Sequence, residues 1–128
     1  MPEGVGTSIH MAAILIVDDH TAFRGQARAL LEAEGLQVVG EAADGRSALV
    51  AFRKLVPHVV LLDIGLPDVD GFEVAEQLAR EPFPPLVVLI SSREATTYGT
   101  RIGSSPVVGF IQKDELAAAI LMDLLGDH

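Results

Sequence analysis

The chain has 128 residues, a formal net charge of -9 at pH 7 and no cysteine. Its length suits one domain with its own core, and the missing cysteines exclude disulfide scaffolds and thiolate metal sites. The acidic balance, with only nine Lys and Arg scattered along the chain, argues against direct binding of nucleic acid, which requires clustered basic side chains.

The N-terminal segment, residues 1–11, contains glycines and lacks the charged start and long apolar centre of a signal peptide. We expect a flexible leader there and a single domain at residues 12–126. The apolar runs of this domain have the length of strands, far short of the roughly 20 residues that span a bilayer. With the absence of cysteine, this predicts a cytoplasmic domain without a membrane segment.

The first half of the domain alternates strand and helix patterns. An apolar run at residues 12–17 predicts a strand, and residues 21–34 carry their apolar side chains on one helical stripe. Residues 36–43 are rich in β-formers and predict a second strand. Residues 47–56 again show helical spacing, until Pro57 ends the helix because it cannot continue the hydrogen-bond ladder.

The second half continues the alternation. Residues 59–62 are apolar throughout, which is typical of a strand buried on both faces. Residues 72–80 predict a short helix and residues 86–90 a fourth strand. A fifth apolar run at residues 107–112 leads into a helical stripe at residues 114–125.

The segment between the last two strands is the weakest part of this pattern. Residues 93–103 hold threonines and glycines, so any helix there is predicted to be short and marginal. The whole pattern is nevertheless βαβαβαβαβα, which requires parallel strand pairing with right-handed crossovers. The sequence therefore predicts a three-layer α/β sandwich.

Polar side chains follow four of the predicted strands at the point where each ends. They are Asp18 and Asp19, Asp63, Ser91, and Lys113. Because ligands bind outside the carboxyl ends of strands in open parallel sheets, we expect these groups to meet at one edge. Paired carboxylates suit Mg²⁺, a carboxylate can attack a phosphoryl group, and a lysine can bind one.

Each of these residues also has an ordinary structural explanation when it is taken alone. An aspartate or serine at a strand end often begins a turn or caps the next helix, and a lysine is usually solvated. The four histidines have no spacing typical of a zinc site or a catalytic dyad. We interpret His20 simply as a residue that begins a helix. The joint occurrence of the strand-end groups is what indicates a site.

Together these residues resemble the receiver domains of bacterial two-component response regulators. The resemblance covers nearly the whole chain and is carried in order by residues 14–20, 60–71, 89–92 and 109–114. The Asp-Asp-His opening and the pair Lys113-Asp114 are similar to the branch often joined to LuxR-type helix-turn-helix domains. The resemblance implies a flavodoxin-like (βα)5 fold with strand order 2-1-3-4-5.

The resemblance also implies roles for the strand-end residues. Asp63 would accept a phosphoryl group from a sensor histidine kinase, and Mg²⁺ (or Mn²⁺) would be held by Asp18, Asp19, Asp63 and the backbone carbonyl of Gly65. Such a protein is not a conventional enzyme, but Mg²⁺-dependent self-phosphorylation and self-dephosphorylation are expected of it.

The same resemblance implies a conformational switch. Lys113 and Ser91 would bind the phosphoryl oxygens, with Ser91 moving towards them, and Phe110 would be the aromatic switch residue on the fifth strand. The surface of the fourth helix, fifth strand and fifth helix would then change, control an output and serve as a homodimer contact.

The chain departs from the family pattern at two places. Asp114 stands where the family often has proline, and Ser104-Ser105-Pro106 replaces the usual Ala-Gly-Ala before the fifth strand. The second departure lies next to the fifth strand, in the expected output surface.

Three other functions are alternatives to a phosphorylated receiver. A pseudo-receiver would share the fold but act as an interaction module without phosphorylation. A phosphohydrolase of the haloacid dehalogenase type needs a second aspartate two residues after the nucleophile, where this chain has Gly65. A cofactor-binding flavodoxin-like domain would need a phosphate-binding loop after the first strand, and none is present.

Overall fold

Five parallel strands form one sheet in the order β2-β1-β3-β4-β5, in a computed structural model that describes residues 12–126. The strands are β1 (Ala13–Val17), β2 (Gln37–Ala42), β3 (Val59–Asp63), β4 (Leu86–Ser91) and β5 (Gly109–Gln112). The helices are α1 (Thr21–Ala33), α2 (Gly45–Leu55), α3 (Gly71–Ala79) and α4 (Ala118–Leu125). The predicted fold and strand order are confirmed. The predicted leader at residues 1–11 lies outside the described residues.

The sheet has an apolar core on each of its faces. On one face, alternate strand residues such as Ile16 and Ile90 pack with Leu31 of α1 and Leu121 of α4. On the other face, the intervening strand residues pack with side chains of α2 and α3. All five residues of β3 are buried, as expected for the central strand of a doubly covered sheet. This burial fixes the register, because a slip of one residue would exchange the two faces.

The connection between β4 and β5 differs from the other crossovers. Its helical part is the short 3-10 helix Ala95–Tyr98, and we call residues 95–105 the β4–β5 segment. Gly99 follows the 3-10 helix with φ 58°, a conformation that ends helical structure and suits glycine. The marginal helix predicted for residues 93–103 therefore takes this tighter form.

The last helix begins later than the sequence predicts. Residues Lys113–Glu115 form a separate 3-10 turn, and Leu116 has an extended backbone with ψ 125°. Helix α4 then starts at Ala118, preceded by Ala117, which provides no side-chain cap. The resemblance assigns the output surface to the fourth helix, the fifth strand and the fifth helix. In this structure the corresponding elements are the β4–β5 segment, β5 and α4.

The loop after β3 is held close to the sheet edge. Gly71 donates its N–H to the carbonyl of Ile64 at 2.8 Å, and α3 begins there, capped by the Asp70 carboxylate. A Cβ atom on Gly71 would overlap the Asp63 carbonyl and lie 2.7 Å from the Ile64 Cα. Glycine is thus required for α3 to start directly beside Asp63. Within the described residues, no helix has both the length and the apolar character needed to cross a membrane.

Candidate functional site: an acidic cluster with one lysine

The strand pairing brings the predicted polar residues to one edge of the sheet. Val17 of β1 pairs with Leu62 of β3, so Asp18 and Asp63 follow at equivalent positions of neighbouring strands. Asp63 in turn pairs with Ile90 of β4, directly before Ser91. Lys113 follows the end of β5. The convergence expected from the sequence is therefore present in the fold.

Three carboxylates and an imidazole form a tight cluster at this edge. Ligand atoms of Asp18, Asp19, His20 and Asp63 all lie within 4.8 Å of one another. The Asp18 side chain is fully buried and Asp63 is only 4% exposed, whereas Asp19 is open to solvent. A set of carboxylate oxygens with one open side is the arrangement that hard divalent cations such as Mg²⁺ prefer.

Lys113 supplies the compensating charge inside the cluster. Its Nζ lies 2.5 Å from Asp18 Oδ2 and 3.4 Å from Asp63 Oδ2. Among the described residues, Asp18 Oδ2 has no partner of ordinary hydrogen-bond geometry, so the ammonium contact is its main compensation. The same ammonium lies 4.8 Å from the ring centroid of Phe23 on α1, a cation–π contact that fixes its position.

The electrostatic environment opposes ionisation of Asp63. Burial raises the pKa of Asp63, and the negative charge of Asp18 raises it further. The Gly65 N–H, which donates to Asp63 Oδ1 at 3.1 Å, and the Lys113 ammonium act in the opposite direction but do not outweigh burial. Additional positive charge or a neutralising ligand at this edge would therefore stabilise the folded protein.

Ser91 makes contacts of a different kind. It is 4% exposed, its Oγ accepts the Arg93 N–H at 3.0 Å, and it lies 2.5 Å from the Tyr98 hydroxyl. Phe110 on β5 is partly buried, and its ring centroid is 6.2 Å from that of Tyr98. The two residues expected to act in switching are thus connected through Tyr98.

Sequence reasoning missed two participants in this region. His20 precedes α1 as its N-cap, and its Nδ1 also lies 3.0 Å from Asp18 Oδ1 and 3.1 Å from Asp19 Oδ1. Its position next to the aspartate pair was the available signal. Tyr98 had no such signal, because its contact with Ser91 depends on the 3-10 turn that follows β4.

Comparison with known proteins identifies the family. The family model described as the response regulator receiver domain matches residues 14–124. The response regulator GacA from Pseudomonas protegens is 35% identical over 92% of this chain and 58% of its own length. BvgA from Bordetella pertussis is 36% identical over 80% of this chain and 49% of its own. The chain thus spans about half the length of these curated relatives.

Solved structures agree with this match. The signal receiver domain of NarL from Mycobacterium tuberculosis has a TM-score of 0.78 and 33% identity, and the alignment covers 91% of this chain and 98% of that one. The fold, the ordered sequence match and the acidic edge all point in the same direction. The chain belongs to the response regulator receiver domain family, and it is a signalling domain of the two-component type.

Proposed function

We propose that Asp63 accepts a phosphoryl group from the phosphohistidine of a sensor histidine kinase, and that this modification switches the signalling state of the domain. The observation that carries the proposal is the buried Asp63 carboxylate, 3.4 Å from the Lys113 ammonium and within the cluster formed with Asp18 and Asp19. A buried carboxylate with a raised pKa, at the mouth of a central strand, is typical of a functional group.

The residues of the cluster fit a divalent cation. Asp18, Asp19 and Asp63 would hold Mg²⁺ (or Mn²⁺) through carboxylate oxygens, together with the backbone carbonyl of Gly65. The chemistry of the donors and the incompletely hydrogen-bonded Asp18 Oδ2 support this assignment. When bound, the ion would neutralise charge on the oxygens of the transferring phosphoryl group.

The chain's own residues would align and stabilise the transfer. An Asp63 oxygen forms the new bond to phosphorus while the nitrogen–phosphorus bond breaks, and its electron pair remains on the leaving imidazole. Lys113 binds a phosphoryl oxygen from a position it already occupies beside Asp63, and Ser91 donates to a second oxygen. Such transfer needs positioning and charge compensation more than covalent assistance. Attack of water on the acyl phosphate would return the free carboxylate.

The surface formed by the β4–β5 segment, β5 and α4 would transmit the change. Ser91 and Phe110 lie at its inner side, and both contact Tyr98 of the β4–β5 segment. We assign to this surface the control of an output and the contact with a second copy of the domain.

The proposal is tested by phosphorylation with a small donor. Acetyl phosphate and Mg²⁺ should add one phosphoryl group to the protein, measured by intact mass, and Asp63→Asn should abolish the addition. Asp123→Asn, which removes an exposed carboxylate from α4, should leave it unchanged. A folded wild-type protein that gains no mass would contradict the proposal and favour the pseudo-receiver.

The metal assignment has a separate test. Millimolar Mg²⁺ should raise the thermal midpoint of the wild-type protein, because a ligand that binds only the folded state stabilises it. Asp19→Ala should remove most of this gain. An equal Mg²⁺ effect in the variant would exclude Asp19 as a ligand.

A further inference from the structure

The Ser91 hydroxyl is already engaged in this structure. Its Oγ accepts the Arg93 N–H at 3.0 Å and lies 2.5 Å from the Tyr98 hydroxyl. Either hydroxyl can be the donor in this contact, because Ser91 Oγ can accept a second hydrogen bond as well as donate its own proton. Whichever hydroxyl donates, Ser91 Oγ is held beside Tyr98, so a movement of Ser91 towards a phosphoryl group on Asp63 would exchange this hydrogen bond for a new one.

The Tyr98 ring is held by aromatic contacts on two sides. Its centroid lies 5.9 Å from that of Phe72 at the start of α3, in an edge-to-face arrangement, and 6.2 Å from that of Phe110 on β5. Such pairs add to the free energy gained from burial alone. The hydroxyl is therefore presented to Ser91 by a ring with a fixed position.

A second contact holds the same segment against α3. The Arg101 guanidinium lies 4.2 Å from the Phe72 ring centroid, and its Nη2 donates to Asp70 Oδ2 at 2.7 Å. Asp70 is also the N-cap of α3. The β4–β5 segment, which lacks an α-helix, is thus attached to the sheet edge through Tyr98 and to α3 through Arg101.

We propose that Tyr98 is a positioning residue that holds the Ser91 hydroxyl in the unphosphorylated protein, so that phosphorylation of Asp63 requires the Ser91–Tyr98 hydrogen bond to break. Breaking this bond frees the Tyr98 hydroxyl and leaves the ring held by its aromatic contacts alone, which allows the β4–β5 segment to change position. The inference rests on the proposed function, because it assumes a phosphoryl group on Asp63. It adds Tyr98 as the residue that couples the site to the surface.

The first test measures binding of a phosphoryl mimic. Beryllofluoride with Mg²⁺ is titrated by calorimetry into the wild-type protein and into Tyr98→Phe, which keeps the ring and removes the hydroxyl. The variant should bind roughly 2- to 10-fold more tightly, because it no longer breaks one net hydrogen bond on binding. Thr97→Ala, at an exposed position of the same 3-10 helix, should bind as the wild type does.

A double-mutant comparison separates positioning from a general structural effect. In a Ser91→Ala background, Tyr98→Phe should leave the affinity for beryllofluoride unchanged, because the hydrogen bond is already lost. If the variant tightens binding equally with and without the serine hydroxyl, Tyr98 does not act through Ser91 and the inference fails.

A spectroscopic test needs no variant of Tyr98. The chain has one tyrosine and no tryptophan, so tyrosine emission reports on Tyr98 alone. Saturation with beryllofluoride and Mg²⁺ should change this emission in the wild-type protein and not in Asp63→Asn. Unchanged emission at saturation, with binding confirmed by calorimetry, would overturn the inference even if Tyr98→Phe could not be folded.

The outcomes distinguish the two levels of the proposal. Failure of the folded wild-type protein to bind beryllofluoride would overturn the proposed function, and the role of Tyr98 with it. Binding by the wild type together with equal or weaker binding by Tyr98→Phe would leave the proposed function intact and reject the role of Tyr98.

Discussion

Replacing Asp63 by asparagine should stabilise the metal-free protein at neutral pH. The Asp18 and Asp63 carboxylates lie within 4.8 Å of each other, which corresponds to a repulsion of at least about 3.5 kcal/mol at an effective dielectric constant of about 20. The Lys113 ammonium, 3.4 Å from Asp63, attracts the ionised carboxylate by about 5 kcal/mol at the same dielectric constant. These two interactions leave a net attraction of at most about 1.5 kcal/mol for the ionised Asp63.

Burial of the Asp63 charge then decides the sign. Burial and the Asp18 charge raise the pKa of Asp63 despite the favourable contacts, so the ionised form costs free energy in the folded state. Asparagine has nearly the same shape, and its amide oxygen can still accept the Gly65 N–H. We expect the free energy of unfolding to rise by about 1–2 kcal/mol, which corresponds to several degrees in the thermal midpoint.

The pH dependence provides the critical comparison. Below the pKa of Asp63 in the unfolded chain, the carboxyl is protonated in both states and the substitution should have little effect. The stabilisation should grow as the pH rises and be complete above the raised pKa of the folded state. Denaturant unfolding in EDTA at pH 7 and about pH 3 measures this difference.

A charge-matched control tests whether the position matters. Glu76→Gln removes one negative charge from an exposed position of α3 and should change the stability by less than about 0.5 kcal/mol. Lower stability of Asp63→Asn at pH 7, or an equal gain at both pH values, would refute the electrostatic reasoning.

Two further predictions concern the scaffold. Gly71→Ala should lower the free energy of unfolding by about 1–3 kcal/mol, because its Cβ would overlap the backbone of residues 63–64. Gly25→Ala, with open space around its Cβ in α1, should instead raise the free energy of unfolding by about 0.5–1 kcal/mol. Denaturant unfolding compares the two variants, and equal effects would reject the steric explanation. Burial would raise the pKa of Glu41, but hydrogen bonds from two arginines of α1 outweigh it and lower the pKa. Glu41→Gln should therefore destabilise the protein at pH 7. The difference in unfolding free energy from the wild type should disappear as the pH falls through the lowered pKa of Glu41. A difference that persists at acidic pH would show that the ion pairs are not its cause.

The fold could be predicted because its determinants are local in sequence. Uninterrupted apolar runs identified the buried strands, and the intervening helical stripes identified the crossovers that make the sheet parallel. Helix ends were predicted less well. Helix α4 starts at Ala118 rather than near residue 114, because the chain after β5 first forms a 3-10 turn and then an extended residue. Nothing in the local pattern distinguishes that path from a continuous helix.

The candidate site could be predicted as a set of residues but not as a set of contacts. The ends of the apolar runs located Asp18, Asp63 and Lys113 at one edge, since neighbouring parallel strands end together. The distances could not be inferred, because the Lys113 side chain is placed by the Phe23 ring, which belongs to a different element. The contact between Ser91 and Tyr98 likewise depends on how residues 92–98 fold back over the sheet edge.

The form of the β4–β5 segment also bears on how a small chemical change could have a large effect. A ligand shifts an equilibrium only by its difference in affinity for the two states. Displacing a packed α-helix would cost much of the free energy that this difference in affinity supplies, because many buried apolar contacts would be lost. The β4–β5 segment instead holds mostly exposed residues and is attached through Tyr98, Arg101 and the partly buried Ile102. Under the proposed function, one new partner for Ser91 would therefore remove the hydrogen bond of Tyr98, and the remaining contacts of Tyr98 and Arg101 would limit how far the segment moves.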